Sequence, residues 1–368
     1  MAINKKIITI IIIAIIFVFI VFVGYFASRN KNVSDNFIEK KKEEDKKALL
    51  PITNIEEKNA NDQSNQSLSS TAGTSKNVPQ QLLKENVFYL GIVYPELYVY
   101  DYDNEVIKVI NLKEDTYKEI YRASNVQKAY LSPFGSKIII DDGRFNLLDL
   151  ATDKLFNLSS AVKNFVFTDK DLIVYVNNDE GSSYLGYFKD GEIKKIRNLG
   201  IMEPEFIFIP GGKILIYQHK NSAPVFLLDL TSSKVLSIFL EPANNYSLLL
   251  NNFNKKLLFV SSAQGSKIIN LDNKETLFSF DWQTVKEKCT FDRLLICAVS
   301  SNFDVDDWYL LGENYDNKIV IFDPEKKEIV KEISLASGFD VLAPTLFDSK
   351  IIFANRLNSK IYSLEIGL

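Results

Sequence analysis

Cys289 and Cys297 are the only cysteines in the chain, and they lie eight positions apart. An even separation lets both side chains point to one face if a turn centred on Arg293 joins two consecutive strands. Directly opposed residues of a non-hydrogen-bonded pair have Cα atoms about 4.5 Å apart, within the reach of a disulfide. Outside the cytoplasm the oxidised pair persists. Two buried thiols are the alternative reading, and a catalytic or metal-binding role is the third.

A second concentration of chemistry follows directly. The segment Ser300 to Asn317 carries Phe303, Asp304, Asp306, Asp307, Trp308 and Tyr309, with Glu313 and Tyr315 behind them. It reads as the longest insertion between two strands, and loops on a rigid scaffold are where binding residues concentrate. Aromatics interleaved with acids suit a sugar, a basic peptide or a cation. The competing reading makes Trp308 and Tyr309 a cap on their own sheet, with the acids solvated.

Catalytic signatures are thin. His219 is the single histidine, within Ile216-Tyr217-Gln218-His219-Lys220. One histidine excludes a His-rich zinc site in one chain, and no G-x-S-x-G elbow accompanies it. We expect His219 at a solvent-facing strand end without a catalytic role. Glycoside chemistry needs two carboxyl groups about 5–9.5 Å apart, and Asp141, Asp142, Asp304, Asp306 and Asp307 are the available acids. Asp141-Asp142-Gly143 and Asp101-Tyr102-Asp103-Asn104 raise calcium binding, but neither has the spacing of an EF-hand loop, and both read as turns. No cofactor and no metal site are expected. Tyr98, Tyr100 and Tyr102 alternate along one strand and share a face, as a stripe between sheets or as a binding platform.

The elements that must position these residues form a repeat. Between Val126 and Leu368 one phrase recurs: a strand, a tight polar turn, an apolar β-forming run, a strand ending near Asp, a turn and a last strand. The clearest copy is Leu131-Ser132-Pro133-Phe134-Gly135-Ser136-Lys137-Ile138-Ile139-Ile140, followed by Phe145 to Leu150 and Lys154 to Leu158. Looser copies of its turn are Ile209-Pro210-Gly211-Gly212-Lys213-Ile214, Asn252-Phe253-Asn254-Lys255-Lys256-Leu257 and Phe347-Asp348-Ser349-Lys350-Ile351. Their spacing centres on roughly 40 residues, as in the blades of a β-propeller.

The strands after each turn, such as Leu172 to Val176 and Leu257 to Val260, are uninterrupted apolar runs, which requires cover on both faces. No amphipathic helical stretch is present to provide it, so neighbouring sheets must. Units fall near 87–112, 126–159, 162–199, 203–240, 244–280, 285–334 and 340–366. We therefore expect an all-β propeller of about seven four-stranded blades. The first and last units are short of a strand, and six blades result if they complete one another.

Leu131-Ser132-Pro133-Phe134-Gly135-Ser136-Lys137-Ile138-Ile139 resembles the S-P-D-G-x-x-I repeat of TolB-like, WD40-like bacterial propellers, with Phe134 where those carry Asp. The unit from Lys288 through Asp307-Trp308-Tyr309 resembles a blade of membrane-anchored bacterial propellers. True WD repeats fit less well, since no Gly-His pair occurs and Trp282 and Trp308 follow Asp. The resemblance covers Val87 onward and implies a fold, not an activity.

Ahead of the repeats, Ile7 to Phe26 is an uncharged apolar run with Lys5 and Lys6 before it and Arg29 and Lys31 after it. About 20 helical residues span a bilayer core. A cleaved signal peptide has a shorter apolar region and small residues at the cut, whereas here Tyr25-Phe26-Ala27 follows. Basic residues on both sides leave orientation undecided by charge; a short tail before a first hydrophobic helix stays cytoplasmic, which puts the body outside. Glu39 to Lys47 interleaves acids with bases and reads as a solvated juxtamembrane segment. Thr53 to Gln81 is Asn-, Ser- and Gln-rich, too apolar-poor to fold, with a coil reach of about 40 Å. The expected organisation is a tail over 1–6, a transmembrane helix over 7–26, a disordered linker over 27–85 and the propeller over 86–368.

A net charge of −4 over 368 residues gives no basic footprint for nucleic acid. The sequence thus points to a single-pass cell-membrane protein with its C-terminal domain extracytoplasmic, binding a protein or envelope component. The alternative is a carboxylate-based glycoside hydrolase or lyase acting on an extracellular glycan.

Overall fold

The computed structural model describes residues 78–367 except 169–170, 178–182, 201–202, 220–221, 233, 301–302 and 311–317, and without the side chains of 234–236, 306 and 310. The apolar run over 7–26 and the linker up to 77 lie outside the described residues. No helix among the described residues is long and apolar enough to cross a membrane.

Seven antiparallel four-stranded sheets form the domain. Blade 1 comprises Val87–Val93, Glu96–Asp101, Val106–Asn111 and Thr116–Arg122. Blade 2 runs from Lys128–Leu131 to Lys154–Asn157, blade 3 from Val162–Phe167 to Glu192–Asn198, and blade 4 from Glu205–Ile209 to Lys234–Ala243. Blade 5 runs from Ser247–Leu250 to Thr276–Phe280, and blade 6 from Cys289–Phe291 to Glu328–Ser334. Blade 7 has Val341–Phe347, Lys350–Asn355 and Lys360–Glu365, and takes its fourth strand from Gln80–Gln81.

Two sequence expectations are corrected here. Blade 1 is complete, because Thr116–Arg122 is its outer strand. That strand is mostly exposed and therefore polar, which hid it from a reading that followed apolar runs. The ring also begins before residue 86. Gln80 pairs with Ser363 and Gln81 with Tyr362, and the Leu82 N–H donates to the Ile361 carbonyl at 2.8 Å. The linker's last residues thus close the seventh blade, and no merging of terminal pieces into six blades occurs.

Burial follows the blade plan. Second strands such as Leu172 to Val176 are buried throughout, while outer strands such as Lys154–Asn157 face solvent. Each blade meets the next through an apolar cluster of its own: Tyr98, Tyr100 and Ile107 pack on Ile138 and Leu148 between blades 1 and 2. The equivalent cluster between blades 7 and 1 joins Phe347 and Ile352 to Leu97 and Val99, which completes the ring. Tyr98 and Tyr100 are therefore an inter-blade stripe, as the alternation suggested, with Tyr102 at its edge.

The repeated turn residues act on their own backbone. Ser132 Oγ accepts the Lys137 N–H, Thr168 Oγ1 the Asp171 N–H and Asn251 Oδ1 the Asn254 N–H, at 2.9, 2.8 and 2.7 Å. Gly135 holds φ +65° in the first of these turns, where a Cβ would meet Tyr98 Oη and Val93 at 3.2 Å. Third strands end on Asn111, Asp149, Asp229, Asn270 or Asp323, whose Oδ1 accepts a backbone N–H two residues on.

Candidate functional site

The first strands lie innermost, and those of blades 1 and 2, 3 and 4, 4 and 5, 5 and 6, and 6 and 7 lie beside one another. All first strands then run the same way through the ring. The upper face is the one from which the chain runs into them, and it also holds the loops between second and third strands. The lower face holds the turns between first and second strands.

The insertion of blade 6 is on the upper face and contains a short helix, Val305–Leu310. Asp304 caps it: its Oδ1 accepts the Asp307 N–H at 3.0 Å, and its carbonyl accepts the Trp308 N–H at 3.1 Å. Phe303 and Trp308 are only 9 % and 4 % exposed and pack with Val285, Val305 and Leu342. These two aromatics therefore turn inward. Asp304, Asp307 and Tyr309 remain at the surface, and the Asp306 side chain lies outside the described residues.

A buried charge network holds the insertion in place. Asp340, at the start of blade 7, accepts hydrogen bonds from Lys288 Nζ at 2.5 Å, Arg356 Nε at 2.5 Å and Trp308 Nε1 at 3.0 Å. The Arg356 guanidinium lies 4.3 Å from the Trp308 ring centroid, and its Nη1 donates to the Trp308 carbonyl at 3.0 Å. The Asp340 N–H donates to Asn355 Oδ1 at 2.9 Å. Lys288 and Asp340 are both fully buried. Burial depresses the Lys288 pKa, while the Asp340 carboxylate works in the opposite direction.

Tyr309, 37 % exposed, carries the insertion toward the ring axis. Its hydroxyl donates to Glu287 Oε2 at 2.7 Å, and its ring meets His219 edge-on at 4.6 Å. His219 Nδ1 is 2.9 Å from the Tyr246 carbonyl, and its Nε2 is buried without a hydrogen-bond partner. His219 is thus packed against neighbouring blades, not directed into solvent as the sequence suggested. Beside it, Lys286 pairs with Glu205, which also accepts the Tyr217 hydroxyl at 2.6 Å.

These groups set each other's charge. Burial works against ionised Lys286, but Tyr217, Glu205 and Glu287 outweigh it and keep the ammonium protonated. Burial likewise opposes ionised Glu205, yet the charge and hydrogen bond of Lys286 hold its pKa below the usual carboxylate value. The Tyr309 phenol is pushed well up, first by burial and then by Glu287.

The remaining candidates fall elsewhere. Asp141 and Asp142 form the hairpin turn of blade 2, their Oδ1 atoms accepting the Gly143 and Arg144 N–H groups at 3.1 and 3.3 Å. Asp101 accepts the Asp103 and Asn104 N–H groups and Lys108 Nζ, also as a turn. Among the described residues no three His, Cys, Asp or Glu side chains gather as metal ligands would. Cys289 and Cys297 are opposed on the first two strands of blade 6, with Cα atoms 4.1 Å apart and their sulfurs bonded.

Glu205, Lys286, Glu287, Lys288, Asp340 and Arg356 went unnoticed in the sequence. Each is an ordinary charged residue at a strand end or connection, and only closure of the ring brings them together.

Below this cluster a cavity of about 250 Å³ follows the axis. Phe206, Phe208, Leu248 and Leu250 are among its walls, Tyr217 and Lys286 stand at its upper end, and Phe134 and Lys255 at its lower end.

No known family's sequence model matches the chain. No curated protein matches it either. Solved structures do. An oligogalacturonate lyase from Vibrio parahaemolyticus is 13 % identical with a TM-score of 0.56, covering 77 % of this chain and 92 % of that one. An oligogalacturonate lyase in complex with manganese is 14 % identical with a TM-score of 0.55, covering 77 % and 89 %. The computationally designed Ika8 protein is 10 % identical with a TM-score of 0.53, covering 79 % and 99 %. At these identities the likeness is one of fold.

Proposed function

We propose that the chain is a single-pass membrane protein whose extracytoplasmic propeller binds another protein or an envelope component through its upper face. The observation that carries this reading is the insertion of blade 6. Its helix, Val305–Leu310, is fixed by Asp340, Lys288 and Arg356, while Asp304 and Asp307 are exposed and Tyr309 is partly exposed with its hydroxyl on Glu287. A loop held in one conformation before contact loses little entropy on binding. The apolar run over 7–26, the polar linker and the resemblance of the Ser132-Pro133-Phe134-Gly135 turn to TolB-like repeats support a tethered scaffold.

The test is recovery of partners from envelope extracts on immobilised protein comprising residues 73–368, a compact unit holding all seven sheets. Substituting Tyr309→Ala and Asp307→Lys together removes the partner, whereas Phe253→Ala, on the lower face, retains it. Equal recovery by all three proteins refutes the upper-face assignment. Trp308→Ala is unsuitable because that side chain is part of the core.

A second reading, a carboxylate-based lyase or hydrolase acting on an extracellular glycan, draws on one observation. Glu205 and Glu287 flank charged Lys286 beside the Tyr217 and Tyr309 hydroxyls. Turnover on a panel including oligogalacturonate, abolished by Glu205→Gln, establishes it; no turnover by the unsubstituted protein disposes of it.

A further inference from the structure

Among the described residues, the large hydrophobic side chains that are more than half exposed are Val78, Tyr94, Tyr117, Phe134 and Phe253, at 57–69 %. All of them stand at the lower end of the ring. Tyr94, Phe134 and Phe253 occupy the turns between first and second strands in blades 1, 2 and 5. Tyr117 begins the outer strand of blade 1, which runs upward from that face. Val78 precedes Gln80–Gln81, whose pairing with Ser363 and Tyr362 makes that strand run upward too. On the upper face Tyr102, Tyr309 and Leu357 reach only 37–41 %. Apolar side chains scattered singly need no explanation, but their segregation onto one face does.

These rings are neighbours. The turn of Phe134 abuts Val93, next to Tyr94, since a Cβ on Gly135 would meet the Val93 side chain at 3.2 Å. Phe134 and Asn252, which precedes Phe253, line the same axial cavity. The Tyr94 hydroxyl donates to Asp348 Oδ1 at 3.3 Å, and Lys113 Nζ lies 4.7 Å from the Tyr94 ring centroid. Lys108 Nζ lies 5.3 Å from the centroid of Tyr117. An aromatic ring with a Lys beside it suits the headgroup level of a bilayer, apolar on one side and wet on the other. Charge does not oppose such a contact, because the turns between first and second strands carry Asp171, Asp292 and Asp348 against Lys255, Lys256 and Arg293. Residues 169–170, outside the described residues, are one acid and one base.

The chain also enters the ring from this side. Val78 is the first described residue and lies at the lower end, and the sequence ahead of it holds the apolar run over 7–26. We infer that the lower face rests on a lipid bilayer through Tyr94, Tyr117, Phe134 and Phe253, which turns the upper face and its insertion away from the membrane. The inference rests on the membrane-anchored reading proposed above. A tether that enters on the same side keeps this face at high local concentration beside the lipid, so contacts that bind weakly from solution suffice. Since neither sign of charge prevails in the turns, the contact does not require anionic lipid.

The full chain reconstituted in phosphatidylcholine vesicles with brominated acyl chains tests the inference. Emission added by Phe253→Trp is quenched about twofold, as for a ring at the headgroup–acyl boundary, whereas emission added by Leu357→Trp on the upper face is not. Residues 73–368 alone cosediment with phosphatidylcholine vesicles, and Tyr117→Ser, Phe134→Ser and Phe253→Ser together weaken this about tenfold. Leu357→Ser leaves it unchanged. If the triple variant does not fold, Phe253→Ser alone decides, with a loss of about threefold. Release of the full chain by alkaline carbonate refutes the anchor proposed above, and cosedimentation of residues 73–368 then decides the face by itself. Quenching of an anchored chain at neither position or equally at both, cosedimentation unchanged by the serine substitutions, or cosedimentation only when phosphatidylglycerol is added overturns the proposal.

Discussion

The indole Nε1–H of Trp308 donates to Oδ2 of Asp340 at 3.0 Å, and this bond ties the insertion of blade 6 to the first strand of blade 7. Trp308 is thereby an anchor, while its neighbour Tyr309 stays partly exposed and reaches Glu287 and His219. Consecutive residues of one short helix have opposite roles because they point to different sides of it.

Asp340 is the acceptor on which Lys288, Arg356 and Trp308 converge, so its loss is the costliest change in the network. Asp340→Asn leaves buried Lys288 without a counter-charge and destabilises the ring by about 3–5 kcal/mol. Lys288→Met costs less, because Asp340 keeps its bonds to Arg356 and Trp308. Urea denaturation of the two variants checks the order; equal losses show that the charges act as independent pairs.

The disulfide closes a short loop. Loop-closure entropy assigns a cross-link over eight positions about 2–3 kcal/mol. Reduction, or the pair Cys289→Ala and Cys297→Ala, lowers the denaturant midpoint accordingly without opening the ring. Alkylation followed by mass measurement, with and without reductant, reports the bond directly, and two free thiols in freshly purified, unreduced protein contradict it.

Gln80–Gln81 covers the outer edge of Lys360–Glu365 with a strand of only two residues. Deleting residues 78–85 exposes that edge, lowers the melting temperature and promotes association through the bared strand. Sedimentation at several concentrations reveals the association. A truncated ring that stays monomeric with unchanged melting shows that the seventh blade stands on three strands.

Alkaline pH weakens the fold through tyrosines. Burial raises the Tyr89 phenol to about 12 and that of Tyr187 to about 12, and pushes Tyr217 and Tyr309 further in the same direction. Above pH 10 the unfolded chain releases phenolic protons that the folded ring retains. Their contribution is complete below pH 10 and is lost as pH rises through the folded values. Denaturant midpoints fall between pH 10 and 12, less steeply in Tyr309→Phe. A flat profile over that interval contradicts the assignment.

The blades could be read from the sequence because their signals are local. Ser132, Asp149, Asp229 and Asp323 each bond a backbone group within five residues, so the turns repeat wherever the chain repeats. The apolar runs of the second strands likewise report cover on both faces without revealing which blade supplies it. Cys289 and Cys297, opposed across one hairpin, were legible as a possible pair for the same reason. The outer strand Thr116–Arg122 and the closing strand Gln80–Gln81 were not, since polar, exposed segments leave no hydrophobic period to follow.

The insertion with Asp304, Asp307 and Tyr309 was legible in the sequence, but the charge network beneath it belonged to the tertiary structure. Lys288 and Asp340 are 52 residues apart, and Lys286 and Glu205 are 81 apart. Nothing near either pair in the chain demands the other. Ring closure alone brings the starts of successive first strands around one axis, where desolvation makes each charge require a partner, and so determines that Trp308 turns into the core while Tyr309 reaches Glu287.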